Sequence, residues 1–115
     1  MRPEKEEDLK KNFPRLFSQL SWGFECNDGW FRLIWNLAAD IQRLSDRKNV
    51  ECIASQVKEK YGGLRFYMSS SPDEVDDLIH VAELESYNIC EMCGNQGKIN
   101  KGPWYEVRCQ ECKEK

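Results

Sequence analysis

Apolar residues along the chain recur with two different periods. Between Trp30 and Leu44 they fall three and four residues apart. Trp30, Ile34, Leu37, Ala38 and Ile41 share one helical face, and Phe31, Leu33, Trp35 and Leu44 widen it. A stripe this broad predicts a helix over residues 29–44, buried on much of its circumference, with Asn27 and Asp28 as caps. Ahead of it, residues 3–12 predict a polar helix with acidic residues in its first turn, where the helix dipole favours them. Pro14 interrupts that helix. Phe13, Leu16, Phe17 and Leu20 then form a short apolar stripe at helical spacing, and residues 21–26 read as a connector.

After a turn at 45–49 the period changes to two. Ile53, Ser55, Val57, Glu59 and Tyr61 alternate onto one strand face, and Leu64–Met68 return as a second strand. Gly62-Gly63 between them predicts a two-residue hairpin turn, because both glycines accept φ > 0. That turn sets Tyr61 opposite Leu64, Glu59 opposite Phe66 and Val57 opposite Met68. A helix start follows: Ser71 as cap, Pro72 at the first helical position and Glu74 completing S-x-x-E. Val75, Leu78, Ile79, Ala82 and Leu84 predict its buried stripe, and Asp76, Asp77, Glu83 and Glu85 a solvated face. It reaches about Tyr87 and runs without a linker into a cysteine.

That cysteine opens the most informative motif in the chain. Cys90-Glu91-Met92-Cys93 and Cys109-Gln110-Glu111-Cys112 are two C-x2-C pairs separated by fifteen residues. Two intervening residues let both thiolates of a pair turn toward one point. Two pairs supply the four sulfurs of a tetrahedral Zn²⁺ site. Gly94 stands where a backbone folded over a metal requires φ > 0. One structural Zn²⁺ on Cys90, Cys93, Cys109 and Cys112 is the expectation; two disulfides or an iron site are the alternatives open to the same spacing. Four cysteine ligands leave no position for water or substrate. The motif thus specifies a structural site rather than an activity. Gly97, Gly102-Pro103 and a short strand through Trp104, Tyr105 and Val107 complete a knuckle, hairpin, knuckle order. With only Lys113-Glu114-Lys115 after the last ligand, a zinc ribbon is expected rather than a module closed by a helix. The fold class is α+β: core helices on a small antiparallel hairpin or sheet, with a C-terminal four-cysteine zinc ribbon. Its division is an α+β domain at 1–89 and a ribbon module at 90–115 packed on it.

Charge narrows the choice of partner. The formal net charge is −3, and the first 89 residues hold 12 of the 17 basic and 16 of the 20 acidic side chains. The remaining residues hold 5 basic and 4 acidic side chains, a net +1 that four thiolates with one Zn²⁺ turn to about −1. Nucleic-acid-binding ribbons gather Lys and Arg against phosphates, and this chain does not do so in bulk. No run is long or apolar enough to span a bilayer, and the charged start Met1–Asp8 is no signal peptide. Thiols suited to a metal point to a reducing cytoplasm. Cys26 and Cys52 lie in apolar segments and are expected to be buried, reduced thiols.

The run Gln56-Val57-Lys58-Glu59-Lys60-Tyr61-Gly62-Gly63-Leu64-Arg65-Phe66-Tyr67, followed by an acidic helix and C-E-x-C-G-x-x-G…W…C-x-x-C, resembles small uncharacterised proteins of bacteria and their phages. The likeness covers the chain from about Gly23 onward. It implies the architecture, and no activity. The cysteine module also resembles zinc-ribbon and treble-clef knuckles.

Catalytic constellations are thin. The single histidine, His80, lies within a helical turn of Asp76, Asp77 and Glu83, an arrangement more typical of a solvated helix face than of a metal site. Ser69-Ser70-Ser71 lacks a nucleophile elbow, and Gly62-Gly63 lacks the Lys-Ser/Thr of a phosphate loop. The expectation is therefore not an enzyme. Strand alternation places Lys58, Lys60, Arg65 and Tyr67 together on the hairpin face opposite the core, with Lys60 across from Arg65. Like charges set opposite each other are mildly unfavourable, so this strip and Trp104 are the candidate partner surface. The leading reading is a non-enzymatic, zinc-stabilised protein-binding module, a phage or mobile-element regulator or inhibitor of a host system. The alternative is a nucleic-acid-binding ribbon using Lys98, Lys101, Trp104 and Arg108.

Overall fold

The long amphipathic run forms the central helix of the computed structural model, which describes residues 1–114. Helix α1, Pro3–Asn12, carries proline at its start, Glu4 and Glu6 in its first turn and Lys10 and Lys11 in its last, matching both ends of the dipole. Phe13, Leu16 and Phe17 are buried as expected, but residues 14–19 form turns rather than a helix. The 21–26 connector contains an unforeseen strand. Strand β1, Phe24–Glu25, follows the left-handed pair Trp22-Gly23 (both φ 65°) and inserts Phe24 into the core.

Helix α2 spans Phe31–Lys48, preceded by a 3-10 turn at Asp28–Trp30. Ile34, Ala38 and Ile41 are wholly buried. The expected caps are used otherwise. Neither Asn27 nor Trp30 makes a side-chain cap bond, and Asp28 instead pairs with Arg2 at 2.6 Å. The expected turn at 45–49 is the last turn of the helix. Asn49 ends it in the left-handed conformation (φ 54°), which asparagine tolerates.

Strands β2 (Ile53–Lys60) and β3 (Gly63–Ser70) form the hairpin. With β1 parallel to β2, the sheet order is β1-β2-β3. The turn is Tyr61-Gly62, not Gly62-Gly63. Its left-handed residues are Tyr61 (φ 53°) and Gly62 (φ 87°). The register accordingly pairs Lys60 with Gly63, Glu59 with Leu64, Lys58 with Arg65 and Val57 with Phe66. Gly63 serves close approach instead: a Cβ there would stand 2.5 Å from the Tyr87 ring. Moving the turn by one residue moves each partner by two. Pairings change while the faces are kept, since strand side chains alternate with period two. Two departures remain on the core face. Tyr61 is 70% exposed, and register shifts around Ile53–Gln56 bury both Ile53 and Ala54 while leaving Ser55 half-exposed.

Helix α3, Glu74–Ser86, starts later than the S-x-x-E pattern predicts and has no side-chain cap. Glu74 pairs with Lys48 instead. Val75, Ile79 and Ala82 are buried as expected, whereas Leu84 is exposed. Glu83 leaves the solvated face and accepts the Phe66 N–H at 3.0 Å. Beside it, the fully buried Ser86 hydroxyl donates to the Glu83 carbonyl at 2.6 Å and accepts the Leu64 N–H at 3.0 Å. Two N–H groups of β3, at Leu64 and Phe66, are thus satisfied by side chains of α3, which covers that part of its edge. No helix among the described residues is long and apolar enough to cross a membrane.

Candidate metal centre

Chain reversal at Cys90 builds the first half of the site. Cys90 N–H bonds the Asn95 carbonyl at 2.7 Å, and Gly94 N–H returns to the Cys90 carbonyl at 2.9 Å. Gly94 makes this possible at φ 86°. Strands β4 (Lys98–Lys101) and β5 (Tyr105–Arg108) then form an antiparallel hairpin. Gly97 lets that hairpin close on the knuckle, since a Cβ there would lie 2.9 Å from the Cys90 nitrogen. Cys109 caps a helical turn, α4 (Gln110–Lys113), and accepts the Cys112 N–H on sulfur at 3.5 Å. The second ligand pair therefore lies on a helical turn, which the expectation of a ribbon without a closing helix did not include. The expected position of Lys115 lies outside the described residues.

The four sulfurs converge. Sγ atoms of Cys90, Cys93, Cys109 and Cys112 lie within 4.8 Å of one another, and those of Cys93 and Cys109 are 3.5 Å apart. Sulfurs about 2.3 Å from a tetrahedral ion stand about 3.8 Å apart, so the cluster has the dimensions of a four-thiolate metal site. All six cysteines are free; neither alternative disulfide joins the pairs. Thiol acidity is uneven. Burial raises the Cys90 thiol, but backbone N–H groups of Cys109, Cys93 and Met92 outweigh it and bring it down to about 6. The Cys109 thiol, then burial, push Cys112 up to about 12. Four thiolates cannot share this volume without a cation, and a divalent ion resolves that conflict.

Residues that sequence spacing does not reveal anchor the site to the core. Glu91, between the first two ligands, is buried. One carboxylate oxygen accepts the Asn27 backbone N–H at 3.0 Å and its side-chain amide at 3.2 Å. The other faces Arg108 at 3.7 Å. Burial, opposed by Asn27 and reinforced by the Glu59 charge, holds the Glu91 carboxyl above its ordinary range. Gly29 N–H bonds the Glu91 carbonyl at 2.7 Å, and the Trp30 indole bonds the Ile89 carbonyl at 3.0 Å. The only sequence signal for Glu91 is a carboxylate inside a knuckle, which reads equally well as exposed.

Cys26 and Cys52 are buried apart from the cluster, and burial pushes Cys26 up to about 12. His80, Asp76 and Asp77 are exposed, and among the described residues the four cysteines are the one group able to share an ion. Lys58, Lys60, Arg65 and Tyr67 do share one face. However, Lys58 lies opposite Arg65, and Lys60 opposite Gly63. Arg65 is half-buried, donating to the Tyr87 hydroxyl at 3.3 Å. Trp104 is 83% exposed. Arg108 is only 15% exposed and spans Glu106, at 3.0 Å, and Glu91. No protein-family model matches the chain, and no curated protein or solved structure is significantly similar to it.

Proposed function

We propose that this chain is a non-enzymatic protein-binding module whose four-cysteine centre holds one structural Zn²⁺. A closed set of four thiolates suits Zn²⁺ and leaves no open position for chemistry. The observation that carries the binding reading is the aromatic rim at the junction of sheet and ribbon. Tyr61, Trp104 and Tyr105 are all exposed around one groove, on two hairpins that meet where Gly62 fits against Ile99. Clustered exposed aromatics on a rigid support are the usual anchors of protein interfaces. The resemblance to phage and bacterial proteins suggests a regulator or inhibitor of a host system, acting in a reducing compartment.

Affinity capture from nuclease-treated bacterial lysate tests this. The zinc-loaded chain should retain a protein that Trp104→Ala releases. Capture that disappears with nuclease would overturn the reading. A second reading, nucleic-acid binding, is favoured by Lys98 and Lys101, both exposed on β4. Phosphate contacts would make affinity fall steeply with salt.

A further inference from the structure

The groove under the aromatic rim has an uneven charge. It lies between the β2–β3 turn and the β4–β5 hairpin, with a volume of about 680 Å³. Tyr61, Trp104 and Tyr105 wall it at 70%, 83% and 46% exposure. Glu59, Glu91 and Glu106 also line it, with Arg108 as the one cation. Arg108 is already shared between Glu91 and Glu106. One oxygen of Glu59 accepts the Gly62 N–H at 2.7 Å; among the described residues its other oxygen accepts no hydrogen bond. Three carboxylates against one guanidinium leave the groove negative, in a chain that is itself negative.

We propose that this groove binds a basic side chain presented by an extended segment of a partner protein. The inference rests on the protein-binding reading above and gives that partner its chemistry. Aromatic faces attract cations through their ring quadrupole, and a guanidinium both stacks on such faces and forks onto carboxylates. Lys60 already approaches the Tyr61 ring from within the chain, with Nζ 5.7 Å from its centroid. A phosphate would instead meet three carboxylates, so the groove opposes nucleic acid. The partner's complementary feature is a positive charge next to apolar surface.

The test uses the full zinc-loaded chain and a short extended peptide carrying two arginines. Versions with glutamine or glutamate in place of both arginines serve as controls, and backbone amide and indole shifts are followed by NMR. The arginine peptide should give saturable shifts at Glu59, Tyr61, Trp104 and Glu106. Affinity should fall about fivefold or more in Trp104→Ala, in Glu106→Gln and with the glutamine peptide, with zinc content and melting unchanged. Equal or tighter binding of the glutamine or glutamate peptide at the same residues overturns the inference and leaves the protein-binding reading intact. No shift with any peptide at millimolar concentration overturns the inference, whatever the lysate capture shows. Shifts at these residues with a single-stranded oligonucleotide overturn both.

Discussion

Gly63 and Ser86 show how individual atoms fix this structure. A methyl group at Gly63 would overlap the Tyr87 ring, and one at Gly62 would stand 2.6 Å from the Ile99 side chain at a left-handed φ. Alanine at either position should lower stability by about 1–3 kcal/mol, read from the midpoint of urea unfolding. Ser86→Ala removes the acceptor of the buried Leu64 N–H and should cost a similar 1–3 kcal/mol, about the penalty of an unsatisfied buried donor. Ser71→Ala should change stability by less than about 0.5 kcal/mol, since no side chain caps α3. The spacing of Ser71 and Glu74 resembles a cap, and Ser86 has no sequence signature at all. The ligand cysteines were legible because their chemistry and spacing are local. Asn27, Glu91 and Arg108 were not, because they meet only after the chain has folded.

Elements were read more reliably than their edges. The α2 stripe, the hairpin and the acidic helix all appear close to their expected positions. The register did not, because a Gly-Gly pair fits a turn equally well with either glycine at close approach. Strand β1 escaped detection because two residues show no periodicity. The observed contacts divide the cationic strip into a packed part and a solvated part. Arg65 bonds Tyr87, so its reversal would disturb packing. Lys58→Glu with Lys60→Glu is the cleaner test. It should leave zinc content and folding intact, as substitutions on a solvated strand face usually do. Partner capture should survive this double reversal, because the proposed interface is the Trp104 rim; its loss would move the interface to the cationic strip. In the cysteine module, Cys93→Ser should lower zinc per chain, whereas Cys26→Ser should leave it unchanged, both read by elemental analysis. Zinc loss in the Cys26 variant would mean that the ligands are misassigned.

At the scale of the whole molecule, the four-cysteine cluster draws the two ends of the C-terminal module together, and hydrogen bonds to Asn27, Gly29 and Trp30 tie that module to the core. Ion binding requires deprotonated sulfur, so protons compete with the metal. Acidification should release zinc and lower stability, and raising the pH should restore both. Stabilisation by a bound ion would therefore be present at neutral pH and lost as pH falls through the range where the thiolates protonate. A chelator titration followed by Trp fluorescence should report the same loss in the core, because the Trp30 indole bonds the backbone next to Cys90.

That last contact has a consequence for the order in which the chain is completed. The Asn27 and Gly29 N–H groups and the Trp30 indole take their partners from Ile89 and Glu91, about sixty positions later. A ribosome delivers those partners only after α2, the hairpin and α3 have emerged. Until then the start of the central helix has donors without acceptors, and a nascent chain halted before residue 89 should be open to protease near Asn27. Delivery of the knuckle closes that end of the core. The cysteine segment thus acts as a late latch, joining a later-synthesised stretch of the chain to the start of its central helix.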